Sequence, residues 1–224
     1  MIHIRARCAL LFIVLLLSAL SGCTSDGLKP TGSLTTASPT AGGVVRLPND
    51  GRRQTAFEAY PAAYAKAKLW RSEAILYQIA VTRIMEINLG LPPSAPGWFF
   101  MFRVPDQTIE YYVKVVDGQV IGATETQPIL AEKLPYKYLP IDLKRLTLDS
   151  RDVLRSYLEH GGEEYIATHP KMELDYRLVH LEGQPNPVWS LFDVSDLSQN
   201  AVPIFNVDAV TSDVTEDPFA PFSQ

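Results

Sequence analysis

Residues 109–126, which read IEYYVKVVDGQVIGATET, decide the fold of this chain. Apolar residues alternate with polar ones from Ile109 to Val116, a pattern typical of a strand with one buried face. Asp117-Gly118 is a strong signal for a two-residue hairpin loop, and residues 119–126 then return. The stretch therefore predicts two neighbouring antiparallel strands.

A strand and a helix are predicted upstream of this hairpin. Residues 98–104 are almost wholly apolar, which suits a strand covered on both faces. Before them, apolar residues spaced by three and four predict one long amphipathic helix with Pro61 in its first turn, ended by Asn88-Leu89-Gly90. We interpret its apolar stripe as a core face rather than a cofactor or partner groove. The stripe comprises Ala63, Ala67, Trp70, Ala74, Tyr77, Val81 and Ile84.

The second half of the chain has a similar order of elements. Asp149-Ser150-Arg151-Asp152 resembles a capping box and predicts a helix start. Gly161-Gly162 ends this helix, and residues 163–168 add a further turn. Three strands are predicted after it, over residues 172–181, 188–194 and 202–210.

Two segments about 90 residues apart resemble each other. Residues 96–106, around Trp98, are echoed by residues 187–196, around Trp189, and Val116-Asp117-Gly118 is echoed by Val207-Asp208-Ala209. The match is either a degenerate internal repeat or a chance similarity between strands that contain tryptophan. Taken as a repeat, it predicts an α+β protein with two helix-plus-antiparallel-sheet units.

The second unit, residues 148–214, resembles the PepSY family, and residues 56–126 are a more distant match. The resemblance implies a small antiparallel sheet packed on a helix, somewhat like a cystatin, a role in regulating proteases, and no catalytic residues. One departure is Val210-Thr211-Ser212, where family members usually have Thr-Gly. The residues that carry the resemblance are Asp149, Ser150, Val153, Leu154, Gly161, Gly162, Trp189, Val207, Asp208 and Ala209.

The N-terminus has the features of an export signal. Arg5 and Arg7 precede an apolar run of 13 residues, 8–20, which is too short to span a bilayer, where about 20 are needed. The following Leu20-Ser21-Gly22-Cys23 resembles the lipobox of bacterial lipoproteins. The resemblance implies that Cys23 is acylated, palmitate being a typical chain, and becomes the new N-terminus. A plain secretory signal with an incidental cysteine is the alternative.

A tether is predicted after the signal, because residues 24–54 are rich in Ser, Thr, Gly and Pro and hold no aromatic residue. Thr24 after Cys23 resembles an outer-membrane address, so we expect attachment to the cell membrane or the outer membrane, facing the periplasm or the exterior. The predicted organisation is a signal peptide (1–22), a lipid-anchored tether (23–55), a first PepSY-like unit (56–130), a linker (131–147), a second unit (148–215) and a disordered tail (216–224).

Composition narrows the function classes. Cys8 and Cys23 are the only two cysteines, so the exported part has no thiol for a disulfide or a thiolate metal site. The formal charge is −5, and loss of Arg5 and Arg7 leaves 18 basic against 25 acidic residues, a charge of −7. Such a balance argues against a nucleic-acid partner.

No catalytic, metal or cofactor site is predicted. His160, His169 and His180 are not spaced like a compact metal-binding pair. Ser150 is explained by helix capping, and His180 by a half-buried structural role. A hydrolase site that uses His180 and Glu182 is kept as an alternative, although the acids are typical of a solvated surface. Those acids are Glu163, Glu164, Asp175 and Glu182.

The leading hypothesis is a non-enzymatic binding or regulatory module with a protein partner. Recognition would use exposed strand edges or an apolar sheet face. Phe99 and Met101 face away from Trp98, so the second sheet face needs a cover, which is either the sister unit or a partner. A structural subunit of a membrane complex is an alternative, and Pro218-Phe219-Ala220-Pro221-Phe222 is either a docking peptide or a frayed end. The predicted binding surface is Trp98, Phe99, Met101, Tyr112 and Trp189.

Overall fold

The computed structural model describes residues 54–81, 96–105, 107–127, 137–195 and 203–218. The predicted signal, Cys23 and most of the tether lie outside these ranges. Every described residue belongs to one compact unit, Val44–Gln224.

The described residues form an α+β fold, as predicted, around one antiparallel sheet with the strand order β4-β3-β2-β1-β5-β6-β7. The helices are α1 (Ala56–Trp70), α2 (Ser150–Tyr157) and α3 (Glu163–Thr168), with a 3₁₀ turn at Leu143–Arg145 and a π turn at Leu158–Gly162. The strands are β1 (Ile75–Val81), β2 (Trp98–Arg103), β3 (Glu110–Val116), β4 (Gln119–Thr126), β5 (Leu174–Val179), β6 (Val188–Asp193) and β7 (Pro203–Asp208).

The hairpin predicted at Asp117-Gly118 is confirmed. Asp117 has φ 47° and Gly118 has φ 76°, the two positive values that a type I′ turn requires. β3 begins one residue later than predicted, and β4 has the predicted bounds.

The long first helix was predicted wrongly. α1 ends at Trp70, and residues 75–81, which the predicted stripe included, form β1. The pairing of β1 with β2 is irregular between Leu76 and Gln78, and this bulge breaks the period-2 pattern by which strands are recognised. Ile84 and residues 88–90 lie outside the described residues.

Pro61 was also misplaced. It is the sixth residue of α1 rather than part of the first turn, because the helix starts earlier, at a capping box. The Thr55 hydroxyl accepts from the Glu58 N–H at 3.2 Å, and the Glu58 carboxylate accepts from the Thr55 N–H at 2.8 Å.

The two halves of the chain join through the pairing of β1 with β5. Gln78 lies opposite Val179, and Val81 lies opposite Tyr176, so one sheet runs through both halves. The second half therefore extends the sheet sideways. This sister unit was one of the two predicted covers for the second sheet face of the first half, and it does not cover that face.

α1 and α2 pack on the same face of the sheet, which we call the first face. Their buried residues form one apolar core with the strands, and Trp98, Phe100 and Phe102 lie in it. The largest fully buried side chains of this core are Trp189, Tyr176, Phe100 and Phe102.

The starts of α1 and α2 are hydrogen-bonded to each other. Ser150 Oγ accepts from the Ala56 N–H at 3.1 Å, and the Asp149 carboxylate accepts from the Phe57 N–H at 3.2 Å. Asp149 also forms the predicted capping box of its own helix with Asp152. Asp149 and Ser150, at the start of α2, therefore also satisfy N–H groups at the start of α1. These hydrogen bonds join the two halves of the chain at a point outside the sheet.

Each tryptophan of the two similar segments holds the chain just before a helix. Trp98 donates its indole N–H to the Gln54 carbonyl at 2.9 Å, and Trp189 donates to the Leu148 carbonyl at 3.1 Å. Both acceptors lie two residues before the first residue of α1 or α2. The two rings meet edge to face, with 6.3 Å between their centroids.

Candidate binding surfaces of the sheet

The structure divides the five predicted binding residues between the two faces of the sheet. Trp98 and Trp189 are buried in the core of the first face, and their N–H groups are bonded to backbone carbonyls. Phe99, Met101 and Tyr112 lie on the opposite face, the second face, where they are also buried. The prediction of a common binding surface stays a prediction.

The second face holds a charged cluster at one end. Arg103 forms an ion pair with Glu110, and the Tyr112 hydroxyl donates to the other oxygen of that carboxylate at 2.8 Å. The Arg103 guanidinium lies over the rings of Tyr77 and Tyr138, 5.3 and 5.5 Å from their centroids. Both oxygens of the Glu110 carboxylate are therefore engaged, and the carboxylate links β2 to β3 through Arg103.

Burial raises the pKa of Tyr112 far above its usual range, and the neighbouring Glu110 charge and hydrogen bond add to the effect. The phenol therefore stays protonated and remains a hydrogen-bond donor at any physiological pH. The cluster is a fixed part of the sheet.

The rest of the second face mixes apolar and polar side chains. Lys114 lies over the Phe99 ring and Arg177 over the Phe192 ring, each 5.0 Å from the centroid. Ser190 pairs with Asn206 across β6 and β7. Ser190 Oγ and Asn206 Oδ1 are buried and have no hydrogen-bond partner among the described residues.

The histidines and acids of the alternative hydrolase site serve local contacts or lie apart. His180 is half-buried, and its ring nitrogens lie 3.3 Å from the Pro140 carbonyl and 3.2 Å from the Gln184 carbonyl. Asp175 is buried on β5 and accepts from the Tyr176 N–H, whereas Glu182 is exposed. Glu163 and Glu164 lie exposed on α3.

The other two histidines are used at helix ends. His160 Nδ1 lies 2.7 Å from the Ser156 carbonyl, and His169 Nδ1 lies 2.9 Å from the Tyr165 carbonyl. Across the described ranges of the chain, no three or more His, Cys, Asp and Glu side chains are grouped to hold a metal ion.

The β7 edge of the sheet is covered by the chain that follows it. Val214 forms a bridge with Val207. The Thr215 N–H donates to the Asn206 carbonyl at 3.0 Å, and the Asp208 N–H donates to the Asp213 carbonyl at 2.8 Å. Residues 213–215 thus act as a short extra strand, and Pro203 at the start of β7 has no N–H to offer.

The Asp208 carboxylate holds the turn before this cover. Its Oδ1 accepts from the Val210 and Thr211 N–H groups at 2.8 and 2.9 Å, and its Oδ2 accepts from the Asn186 amide at 3.0 Å. Burial alone would raise the pKa of Asp208, but these hydrogen bonds outweigh it and lower the pKa below its usual value.

The β4 edge is different. Among the strands that the structure describes, β4 ends the sheet, and it is eight residues long and contains no proline or lysine, the residues that commonly block an edge. Ile121 is 49% exposed, and a side chain at Gly122 would meet nothing within 4 Å. Every second residue of a regular antiparallel edge strand directs its N–H and C=O outward. In β4 this alternation is interrupted at Ile121, where the pairing with β3 shifts register, so β4 presents outward groups to a further strand on either side of Ile121.

On the side of β4 toward α1, Trp70 contacts both β3 and β4. Trp70 stacks on Tyr111 with 4.6 Å between centroids and an interplanar angle of 10°. Its indole N–H donates to Glu125, the only charged residue of β4, at 2.5 Å. These contacts hold the Glu125 side chain against α1.

The sequence signal for this edge was available. A hairpin strand free of proline and lysine, next to a turn of known type, is the pattern of an unprotected edge. The sequence did not show which strand would end the sheet. Residues of β1 were predicted as part of a helix, and the pairing of β1 with β5 joins residues about 100 positions apart.

Comparison with solved structures found a crystal structure named as that of a "putative lipoprotein" (CD1622) from Clostridium difficile 630. The similarity has a TM-score of 0.45 at 12% sequence identity and covers 70% of this chain and 90% of the other. No family model and no curated protein matches the chain, so the PepSY resemblance stays a prediction. None of the described helices combines the length and apolar character needed to cross a bilayer.

Proposed function

We propose that this protein is a lipid-anchored, extracytoplasmic binding module that captures an extended segment of a partner protein along β4. The observation that carries the proposal is the difference between the two edges of the sheet, one covered by residues 213–215 and one ready for pairing. Strand addition gives affinity through main-chain hydrogen bonds and specificity through alternate side chains.

The chemistry of β4 defines the partner segment. Ile121 offers an apolar contact, and Gly122 leaves room for a bulky side chain opposite it. Glu125 disfavours an acidic residue in the facing position. The partner is an envelope protein, such as a protease or a subunit of a membrane complex, that presents an extended apolar segment.

The membrane placement rests on Arg5, Arg7, the apolar run and the lipobox-like end at Cys23. Mass spectrometry of the protein from its native membrane tests it. The expected mass is that of a chain beginning at an acylated Cys23, and an intact leader or a free thiol would contradict the anchor.

Site-specific photo-crosslinking in cells tests the binding edge. The matched positions are Ile121 on β4 and Val214 on the cover of β7, which are 49% and 47% exposed. We expect a discrete product from position 121 and none from position 214. The captured protein, once purified, should bind the wild type and Val214→Lys equally and lose binding to Ile121→Lys.

Equal products from both positions, or none from position 121, would overturn the proposal. A partner that co-purifies in fixed stoichiometry whatever residue is at position 121 would instead favour a structural subunit of a membrane complex.

A further inference from the structure

The helix α1 runs beside β4 in the same direction. Its start lies at the β3–β4 turn, where the Gln54 side-chain amide is 3.0 Å from the point at which Gly118 would carry a Cβ atom. Its end lies at the other end of β4, where the Trp70 indole donates to Glu125. Fifteen helical residues rise about 22 Å and eight strand residues about 26 Å, so the helix and the strand have similar lengths.

The two flanks of α1 face different parts of the sheet. Tyr60 lies beside Phe100 and Phe102 of β2, with 6.0 and 6.4 Å between ring centroids. Helical residues are about 100° apart, so Leu69, nine positions later, lies on the opposite flank, and Lys66 lies on the same flank as Leu69. Because β3 separates β2 from β4, this outer flank of α1 points toward β4 and the space beyond it.

Exposed apolar side chains from the helix and from the strand meet at this edge. Leu69 is 83% exposed and Ile121 is 49% exposed, and both border the space outside β4. Single exposed apolar residues need no explanation, whereas residues that converge on one edge from two elements indicate an interaction surface.

We infer that the partner segment lies in a groove between β4 and the outer flank of α1, with an apolar side chain against Leu69 and an acidic side chain beside Lys66. The inference rests on the proposed function, because it names the surface that selects the partner of the same edge. β4 supplies main-chain hydrogen bonds, and α1 supplies side-chain specificity.

The geometry of an added strand permits this contact. Such a strand lies about 4.8 Å outside β4 and directs every second side chain to the first face. Ala123 and Glu125 share that face, since they pair with Val113 and Tyr111, which belong to the core. The small side chain of Ala123 leaves room there for a larger side chain of the partner. A helix with its side chains is about 10–12 Å across, so this larger side chain can reach the outer flank of α1.

The charges at the groove define the partner segment further. Glu125 disfavours an acidic residue directly opposite it, so the apolar residue belongs at that position, beside Leu69. Lys66 is exposed one helical turn earlier, nearer Ala123. The rise from Lys66 to Leu69 is about 4.5 Å, and alternate strand residues are about 6.6 Å apart, a difference that a flexible lysine side chain covers. The expected segment therefore carries an apolar and an acidic residue two positions apart.

Photo-crosslinking in cells from position 69 tests the groove, with position 64 as the control. Tyr64 is also exposed on α1 but lies on the flank of Tyr60, 5.4 Å from that ring. We expect position 69 to give the same product as position 121, and position 64 to give none. Ile121→Lys should also remove the product from position 69, because β4 holds the segment. A product from position 69 that persists in Ile121→Lys, or that contains lipid instead of protein, would overturn the groove.

The affinity of the captured protein, once purified, tests the two side-chain contacts. Leu69→Ser should weaken its binding about tenfold through the lost apolar contact, and Tyr64→Ser should leave binding unchanged. Lys66→Glu should weaken binding about tenfold at low salt and less at about 1 M salt, whereas Lys171→Glu, at an exposed position elsewhere, should not. Equal affinities of Leu69→Ser and Tyr64→Ser would overturn the groove, and equal effects of the two charge reversals would overturn the acidic contact.

The two proposals can fail separately. A product from position 121 without one from position 69 would remove only the groove and would leave the pairing along β4 intact. The absence of a product from position 121 would remove the proposed function and the groove with it.

Discussion

The β7 edge and the β4 edge end the same sheet in different ways, although the two halves of the chain have similar interiors. Each half has a helix on the first face and a tryptophan that donates to the backbone just before that helix. At β7 the chain folds back through Val214 and Thr215, whereas β4 is bare of proline and lysine. The interior, which is similar in the two halves, therefore holds the fold together, whereas the difference between the edges determines where a partner can bind.

The largest expected effect on stability tests whether the two tryptophans play the same role in the two halves of the chain. Trp98→Ala and Trp189→Ala each remove a buried indole and its hydrogen bond, so each should lower the free energy of unfolding by about 3–5 kcal/mol. Urea unfolding followed by circular dichroism should give one transition in both variants, because the halves share a sheet. Two separate transitions would show that the halves fold independently and would break the comparison.

The second prediction concerns the contact between the helix starts. Ser150→Ala leaves the Ala56 N–H without its buried acceptor, so the free energy of unfolding should fall by about 2 kcal/mol. Ser156→Ala, in the same helix, is the control and should cost less than about 0.5 kcal/mol. Equal losses in the two variants, measured by urea unfolding, would mean that this hydrogen bond does not couple the halves.

The third prediction concerns the cover of β7 and its dependence on pH. The pKa of Asp208 is lower in the folded chain than the value of about 3.9 in an unfolded one. Its stabilisation is therefore fully present above about pH 4 and is lost as the pH falls through the folded-state pKa. Asp208→Asn should be less stable than the wild type at pH 7, and thermal unfolding should show the gap closing toward pH 2. A gap that is the same at both pH values would contradict this role of the charge.

The smallest effect on stability is expected at the two exposed aliphatic residues. Ile121→Lys and Val214→Lys should each change the free energy of unfolding by less than about 0.5 kcal/mol, since both side chains are about half exposed. Partner capture should nevertheless be lost only in Ile121→Lys, because a lysine on an edge strand disfavours pairing. Loss of capture in both variants would remove the distinction between the edges.

Local signals allowed much of the fold to be predicted. Asp117-Gly118 defines its turn within two residues, and the alternation from Met172 to Leu178 identifies β5 and its buried side. β1 was missed because the bulge near Tyr77 interrupts the period-2 alternation, so that the apolar residues have a spacing typical of a helix. The open edge required knowledge of the β1·β5 pairing, which depends on contacts between distant parts of the chain and has no local sequence signature.

The candidate site was harder to predict than the fold. Trp98 and Trp189 were grouped with Phe99 because large aromatic residues mark binding surfaces as well as cores. The structure separates them, since the two indoles are buried on the first face and each donates to a backbone carbonyl. Those acceptors, Gln54 and Leu148, lie more than 40 residues away in the sequence, and no spacing rule points to them.

Residue-resolved hydrogen exchange at both edges of the sheet tests the central claim most directly. The account predicts that the outward amides of β4 exchange at nearly the rate of an unstructured peptide. The Thr215 and Asp208 amides, which are bonded across the β7 edge, should be protected at least about a hundredfold in the same sample. Equal protection at the two edges would contradict the account.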